Sequence, residues 1–142
     1  GEGQVRGRIS SSPLAVPGLT TIPGSSLSLR SDFLEGWPRC ELPSDAWTAL
    51  LDADRAGQDL HVRRWEPGDR FIPLGMGGRK KLQDFFVDAK VPRDRRGSIP
   101  LVVSGGQIAW VVGFRVDERF KVTDSTRRIL RVRAATTGEQ AR

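Results

Sequence analysis

The chain has 142 residues, of which 37% are hydrophobic, and it carries a formal net charge of +6. This length and composition suit one medium-sized domain or two very small ones, and they argue against disorder throughout the chain. No segment approaches the roughly 18 apolar residues that a membrane helix needs, and the first residues lack the apolar core of a secretion signal. We therefore expect a cytoplasmic protein without a membrane partner.

The charge is unevenly distributed along the chain. The first sixty residues carry five Lys and Arg against eight Asp and Glu, whereas residues 63 to 96 carry ten against five and residues 97 to 142 carry eight against four. A mildly acidic first part thus precedes a strongly basic remainder. This polarity favours a polyanionic partner, and nucleic acid is the first candidate.

Metal and redox chemistry have little support in the composition. Cys40 and His61 are the single cysteine and the single histidine of the sequence. One of each can form neither a disulfide framework nor a Cys/His zinc site within one chain. We expect no metal site.

The first part of the chain is rich in Pro, Gly and Ser between residues 13 and 43. The runs Leu14-Ala15-Val16 and Leu27-Ser28-Leu29-Arg30 lie between Pro-Gly turn signals, which predicts short strands or a wrapping segment. A further strand is predicted for Trp47-Thr48-Ala49-Leu50-Leu51, and residues 52 to 54 are expected to form the turn after it.

Next in the chain come a strand and a helix. His61-Val62-Arg63-Arg64-Trp65 predicts a strand that ends at Pro67-Gly68-Asp69, where Pro followed by Gly suits a type II turn. After the glycines near residue 77, four apolar residues recur at offsets of 0, 3, 4 and 7, which predicts one face of a helix: Leu82, Phe85, Phe86 and Ala89. Lys80 and Asp84 are expected one turn apart on its exposed side, and Pro92 marks its end.

The last predicted elements are strands. Residues 99 to 103 and 107 to 112 flank Ser104-Gly105-Gly106, the pattern of a β-hairpin with a short glycine loop. Because both arms are almost entirely apolar, we expect each face of this hairpin to be covered. Ile129-Leu130-Arg131-Val132-Arg133 alternates, which predicts a strand with one apolar and one basic face.

Three clusters of cations are candidate phosphate ligands. In the first, Arg79, Lys80 and Lys81 precede the predicted helix, where stability alone would favour Asp or Glu because cations oppose the helix dipole. Their presence there favours phosphate binding, with Arg as a bidentate ligand and Lys as a point charge. The alternative is a solvated charge run.

The second cluster lies beyond the helix and comprises Lys90, Arg93, Arg95 and Arg96. It is expected about one helix length from Arg79, a spacing that suits several phosphates of a structured RNA, although pairing with neighbouring acids is the alternative. The third cluster interleaves aromatic and basic residues from residue 114 to residue 121. Phe114 and Phe120 could stack on bases, but we expect them in the core, with Arg115, Arg119 and Lys121 at the exposed edge.

Catalysis finds little support in the residues. Ser104-Gly105-Gly106 is followed by Gln107-Ile108-Ala109 and not by the Asp and Ser of an ATP-pyrophosphatase loop, so it predicts a hairpin turn. An enzyme using Asp117, Glu118 and Lys121 remains an alternative, but no nucleotide loop or Ser/His/Asp set accompanies these residues. We expect no catalytic residue in this chain.

Several motifs resemble the C-terminal region of the bacterial tRNA(Ile)-lysidine synthetase family. The resemblance is specific between residues 63 and 133 and rests on these runs: Pro67-Gly68-Asp69-Arg70-Phe71, Pro73-Leu74-Gly75-Met76, Lys80-Lys81-Leu82, residues 84 to 92, Ile99-Pro100-Leu101-Val102, Ile108-Ala109-Trp110-Val111 and residues 115 to 123. Residues 13 to 62 resemble the preceding, more variable segment only loosely.

This resemblance implies a fold and a role. The implied fold is α+β and mostly β, with sandwiched sheets and one principal helix, similar to a domain of the phenylalanyl-tRNA synthetase β chain. In that family a catalytic domain adenylates the wobble cytidine of the isoleucine tRNA with a CAU anticodon, and lysine then displaces AMP. ATP with magnesium is expected in that domain, which is absent from this chain, so that no cofactor is expected here. The C-terminal region is implicated in holding the tRNA body, including the acceptor stem.

We therefore predict a variable, strand-containing segment over residues 1–60, a basic tRNA-binding domain over residues 61–134 and a disordered tail over residues 135–142. The expected partners are the isoleucine tRNA and the catalytic domain of the same polypeptide, with a homodimer possible. The predicted tRNA-binding residues are Arg64, Arg70, Arg79, Lys80, Lys81, Lys90, Arg93, Arg96, Arg115, Arg119 and Lys121. The rival interpretation is a protein-interaction or dimerisation module that uses the apolar hairpin with Trp65 or Trp110, its cations serving only solubility.

Overall fold

The structure, a computed structural model, describes residues 11–35 and 46–136, including every side chain in these ranges except that of Glu35. Cys40 and most of the predicted tail lie outside the described residues. Ala135 and Thr136, which were predicted to belong to that tail, instead pair with Ser28 and Leu27 at the end of the last strand.

Eleven strands and three short helices make up the described chain. The strands are β1 (Ser12–Pro13), β2 (Gly18–Thr21), β3 (Leu27–Glu35), β4 (Thr48–Asp52), β5 (Leu60–Arg63), β6 (Arg70–Phe71), β7 (Lys80–Lys81), β8 (Leu101–Ser104), β9 (Gln107–Val111), β10 (Arg115–Val116) and β11 (Arg128–Thr136). The helices are α1 (Ala53–Ala56), α2 (Leu82–Asp88) and α3 (Arg93–Arg96), and a 3₁₀ turn spans Glu118–Phe120.

Two antiparallel sheets form the body of the protein. The first has the order β1-β5-β8-β9-β10, the second has the order β2-β3-β11-β4, and β6 and β7 form a separate two-stranded ribbon. Strands from before residue 60 thus lie in both sheets. They contribute one edge strand to the first sheet and three of the four strands to the second.

The β8–β9 hairpin is buried on both faces, which explains why its sequence is almost continuously apolar. Val102 faces a hydrophobic cluster shared with the second sheet, where it packs with Leu29, Leu51 and Leu130. Its neighbours Leu101 and Val103 belong to a different cluster on the opposite face of the first sheet. Both faces of the hairpin are therefore covered, and the prediction for residues 99 to 112 is confirmed.

Helix α2 covers the outer face of the first sheet. Leu82, Phe85 and Phe86 are buried there against Phe71 of β6, with the Phe71 and Phe85 rings edge to face and their centroids 5.1 Å apart. Ala89, predicted to be on this buried face, is exposed because the helix ends at Asp88 and Ala89 is its C-cap.

Two predicted turns are present. Gly68 has a φ of 93°, and the Asp69 N–H donates to the Glu66 carbonyl at 3.1 Å, as in a type II turn with Pro67 before the glycine. The β8–β9 connection consists of Gly105 and Gly106, both with positive φ, which matches a two-residue hairpin loop of type I′.

The first sixty residues form more regular structure than their composition predicts. β2 begins at Gly18, where the sequence predicted a turn, and β3 extends for nine residues instead of four. Asp52, predicted to be a turn residue, is buried at the end of β4 and accepts hydrogen bonds from the N–H groups of Asp54 and Arg55, which caps α1. β3 and β4 are held by pairing with β11, and β2 is held by pairing with β3, contacts that no local pattern reveals.

The predicted α+β class, with sandwiched sheets and α2 as the principal helix, is confirmed. Among the residues that the structure describes, no helix is long and apolar enough to cross a membrane.

Candidate nucleic-acid interface

The β6–β7 ribbon places two cations directly opposite each other. Arg70 pairs with Lys81 across the strands, and both side chains are exposed. Like charges at directly opposed positions of an antiparallel pair are destabilising. Neither residue forms an ion pair with any described acid, so this repulsion is uncompensated within the described chain.

The other pair of the ribbon points inward, and its positive charge is compensated by an acid. Phe71 lies opposite Lys80, and the Lys80 Nζ contacts Asp88 Oδ2 at 2.7 Å. The predicted arrangement of Lys80 beside Asp84 on an exposed helical turn is therefore wrong. Lys80 belongs to β7 and is half-buried, because strand alternation turns it away from the exposed Lys81.

At the other end of α2, Lys90 has a left-handed backbone with a φ of 61°. Its N–H donates to the Val87 carbonyl at 3.0 Å and the Val91 N–H donates to the Phe86 carbonyl at 2.9 Å, which together form a Schellman cap. Glycine is usual at this position because a side chain there costs about 1 kcal/mol or more. A lysine is therefore retained at a site where stability favours glycine, and its side chain is exposed.

Helix α3 separates its arginines between solvent and the interior. Arg93 and Arg95 are exposed, whereas Arg96 is only 7% exposed. The Arg96 Nε donates to the Val91 carbonyl at 3.2 Å, and its guanidinium lies 5.8 Å from the centroid of the Phe86 ring. The exposure expected for Arg96 as a phosphate ligand is therefore wrong, because this residue supports the cap of α2 from inside.

Asp117 organises the cations near the 3₁₀ turn. It is fully buried and accepts hydrogen bonds from the Ile72 N–H at 2.8 Å and from both Nε and Nη2 of Arg119 at 2.9 Å. The hydrogen bond to this carboxylate raises the pKa of Arg119 above its usual value. Arg119, predicted as a phosphate ligand, thus has a structural partner, and Phe120 lies in the core as predicted.

The two remaining cations of this segment are also engaged. Lys121 pairs with Glu118, and this hydrogen bond, together with one from the Gly75 N–H, lowers the pKa of the Glu118 carboxyl. Arg115 is exposed, and its Nη1 donates to the Leu74 carbonyl at 3.0 Å.

The predicted residues thus fall into distinct groups. Among the cations of residues 63 to 96, we call open cations those that are exposed and form no ion pair with the described residues: Arg70, Arg79, Lys81, Lys90, Arg93 and Arg95. Arg95 was absent from the predicted set, although it has the same exposure as Arg93. The partnered cations are Lys80, Arg115, Arg119 and Lys121; Arg64 is half-buried and Arg96 is buried.

Several residues named in the alternative interpretations have structural contacts. Asp117 and Glu118 are held by backbone N–H groups and by their cations, which is a structural arrangement. No cluster of three or more potential metal ligands occurs within residues 11–35 and 46–136. Trp110 is 1% exposed and therefore does not form the docking surface of the interaction module, whereas Trp65 is half-buried and packs edge to face on Phe86 with the ring centroids 6.0 Å apart.

Comparison with known proteins identifies the family. A family model described as "TilS substrate C-terminal domain" matches residues 60–134. A tRNA(Ile)-lysidine synthase of Symbiobacterium thermophilum is 46% identical over 123 residues, which cover 84% of this chain and 25% of that protein. One of Caldanaerobacter subterraneus subsp. tengcongensis is 41% identical over 125 residues, covering 82% of this chain and 25% of that protein. The chain therefore spans about a quarter of the length of these relatives.

Solved structures agree with this assignment. The crystal structure of a TILS C-terminal domain superimposes with a TM-score of 0.78 at 28% identity and covers 92% of this chain and 98% of that one. An N-terminal fragment of the phenylalanyl-tRNA synthetase β-subunit from Pyrococcus horikoshii has a TM-score of 0.50 at 17% identity, covering 62% of this chain and 28% of that one, a likeness of fold alone. Both predicted resemblances are confirmed, and the chain belongs to the family of TilS substrate C-terminal domains.

Proposed function

We propose that this domain docks tRNA for a tRNA(Ile)-lysidine synthase. The open cations would hold the phosphates of the tRNA body, including the acceptor stem, while a catalytic domain elsewhere in the parent protein converts the wobble cytidine of the CAU anticodon to lysidine. That domain would supply the ATP and magnesium chemistry and the lysine site. This chain would contribute affinity and orientation, and no bond-making step.

The opposed pair of Arg70 and Lys81 carries the proposal. Two exposed cations on facing strands repel each other and have no acid among the described residues to compensate them. A phosphate between or beside them would relieve this repulsion, with the Arg70 guanidinium able to bind two oxygens and the Lys81 ammonium acting as a point charge.

The position of the other open cations extends this surface. Lys81 is the N-cap of α2 and Lys90 follows its C-cap, so the two lie about 13 Å apart along a helix axis with a rise of 1.5 Å per residue. Arg93 and Arg95 follow within five residues of Lys90. Cations spaced in this way suit a sugar-phosphate chain that is recognised by its shape, as in double-stranded RNA.

The test is a charge reversal with a matched control. The double variant Arg70→Glu with Lys81→Glu should bind tRNA at least about tenfold more weakly at low salt, and its plot of log affinity against log salt should be shallower by about two. The variant again places like charges opposite each other, so the cross-strand repulsion of the ribbon is retained. Filter binding over a salt series measures both quantities.

The control is Arg55→Glu with Arg127→Glu, which changes the net charge by the same amount. Both residues are exposed and lie outside the ribbon: Arg55 is in α1, where its Nη1 donates to the Arg119 carbonyl at 3.3 Å, and Arg127 immediately precedes β11. It should lose far less affinity than the ribbon variant. Equal losses in the two variants would show that only net charge matters, and unchanged affinity in the ribbon variant would overturn the proposed site.

A further inference from the structure

An open cleft of about 220 Å³ lies beside the C-terminal end of α2. Its walls are the side chains of Phe85, Asp88 and Ala89 from this helix and its cap, Met76 from the preceding loop, and Phe114 with Arg115 from the segment entering β10. We propose that this cleft binds one unpaired nucleobase of the docked RNA, an inference that rests on the proposed function and adds a base-contacting site to it.

The walls of the cleft are mainly apolar and aromatic. The Phe85 and Phe114 rings meet edge to face with centroids 6.2 Å apart, and Phe114 is only half-buried. Met76 is 47% exposed, and it is flanked by Gly75 and Gly77, whose φ values of 81° and 83° hold the loop in a turn. An exposed thioether and aromatic rings that line the same cleft offer a flat ligand apolar contacts.

Two charged groups of opposite sign complete the lining, and each is fixed by a contact of its own. The Arg115 guanidinium uses one Nη1 hydrogen bond, to the Leu74 carbonyl at 3.0 Å, and retains further donors. Asp88 Oδ2 is held by Lys80 at 2.7 Å, and a carboxylate can accept several hydrogen bonds. The cleft therefore presents both a donor and an acceptor next to an apolar slot.

This combination fits a nucleobase better than a phosphate alone. Asp88 would repel a phosphate, but a carboxylate accepts from base amino groups and a guanidinium donates to base carbonyl or ring nitrogen atoms. Sequence-specific proteins recognise RNA mainly through unpaired bases that stack on aromatic side chains and bond through their edges. Lys90, the exposed residue after Ala89, provides a cation close to the cleft for the phosphate attached to such a base.

The experiment compares two short single-stranded RNAs that carry the same number of phosphates, one with bases and one abasic throughout. The wild-type chain should bind the base-bearing RNA about fivefold more tightly or better, because base stacking on aromatic residues contributes to affinity whereas the phosphate charge is matched. Fluorescence anisotropy at fixed salt measures both affinities.

Two tryptophan variants localise the effect. Ala89→Trp fills the cleft from an exposed C-cap position without changing charge, and it should abolish the preference for bases while leaving the affinity for the abasic RNA unchanged. Val87→Trp is the control, because Val87 is 56% exposed on α2 and does not line the cleft. It should retain the preference.

Each outcome has a definite consequence. Equal binding of both RNAs by the wild-type chain overturns the inference, as does a preference that persists in a folded Ala89→Trp variant or disappears equally in Val87→Trp. None of these three results affects the docking proposal, which fails separately if tRNA affinity does not depend on Arg70 and Lys81. Thermal melting of all variants verifies that they are folded.

Discussion

The β6–β7 ribbon and the segment around the 3₁₀ turn at residues 118 to 120 each contain arginine and lysine side chains, but only those at the turn are paired with carboxylates. In the ribbon, Arg70 and Lys81 face each other in solvent, and neither forms an ion pair with a described acid. At the turn, Arg119 is bound through two nitrogens to the buried Asp117, and Lys121 is bound to Glu118. A cation in a basic segment is thus available to RNA only where the fold leaves it without a carboxylate.

This difference also separates what each region contributes. Arg119 neutralises a carboxylate that fixes Ile72 and the 3₁₀ turn, so it stabilises the fold. The ribbon pair lowers stability, because like charges lie opposite each other. We therefore expect substitutions at the turn to change unfolding and substitutions in the ribbon to change RNA affinity.

The largest effect on stability should come from Arg119→Ala. Asp117 would remain buried with only backbone donors, and losing hydrogen bonds to a charged group should lower the free energy of unfolding by about 2 kcal/mol. Urea denaturation measures this change. The tRNA affinity of the folded variant should stay within about twofold of wild type at low salt, where the loss of a single phosphate contact would be visible.

Arg127→Ala is the matched control for this prediction, because Arg127 is exposed and forms no ion pair with the described residues. It should change stability by less than about 0.5 kcal/mol. If Arg119→Ala were as mild as Arg127→Ala and also lost RNA affinity, the assignment of Arg119 to the fold would be wrong.

The second prediction exploits the unusual backbone of Lys90. Lys90→Gly should raise the free energy of unfolding by about 0.5–1 kcal/mol, since glycine adopts a left-handed cap without strain. The same change should weaken tRNA binding severalfold, because it removes an open cation. Stability and affinity would then move in opposite directions, as expected for a residue retained for binding.

Lys90→Ala completes this test, because it removes the charge and keeps the strain. It should lose the same RNA affinity as Lys90→Gly without any gain in stability. A Lys90→Gly variant that is less stable than wild type would show that the lysine side chain stabilises the end of α2 through the last carbonyls of the helix. Its role would then be in the fold and not in RNA binding.

The third prediction compares two neighbours in β7. Lys81→Gln should reduce the slope of log affinity against log salt by about one, the value for one lost phosphate contact. Lys80→Gln should change this slope less, because Lys80 is half-buried and paired with Asp88. Its main effect should be a loss of stability below about 1 kcal/mol, typical of a partly exposed ion pair. Equal slopes for both variants would contradict the distinction between open and partnered cations.

Sequence patterns predicted the elements whose burial is local in origin. The apolar hairpin of β8 and β9 and the stripe of Leu82, Phe85 and Phe86 are specified by their own periodicity, and the structure agrees. The extent of β2 and β3 was missed because these strands are stabilised by pairing across the sheet: β3 has register partners about one hundred residues away in β11, and β2 pairs with β3.

The sequence predicted which cations belong to the candidate site, but it did not predict which of them are exposed and without an ion pair. No sequence pattern shows which of Arg93 and Arg96 is buried. In the structure Arg96 packs on Phe86 and donates to Val91, whereas Arg93 is exposed. The opposition of Arg70 and Lys81 depends on a register that joins residues eleven positions apart. Asp117 likewise acquires its role through Ile72, which lies 45 residues earlier. The positive φ of Lys90, which suggests that this lysine is present for binding, is likewise visible only in the structure.

The smallest expected effect concerns acid sensitivity in the second sheet. Asp32 on β3 lies opposite Arg131 on β11, and two hydrogen bonds from that guanidinium, at 3.0 and 2.6 Å, hold the pKa of the Asp32 carboxyl below its usual value. A carboxyl whose pKa is lower in the folded state stabilises the protein above its unfolded pKa of about 3.9, and this contribution disappears as the pH falls through the folded pKa.

Asp32→Asn should therefore lower the melting temperature slightly at pH 7, by an amount equivalent to less than about 1 kcal/mol because the pair is partly exposed. The gap between variant and wild type should close as the pH falls through the lowered pKa of Asp32, because both side chains are then uncharged. Melting curves between pH 2 and pH 7 measure it, with Asp124→Asn, at an exposed residue of the loop before β11, as a control that should show no gap. A gap that persists unchanged at pH 2 would mean that Asp32 acts through its shape and hydrogen bonds and not through its charge.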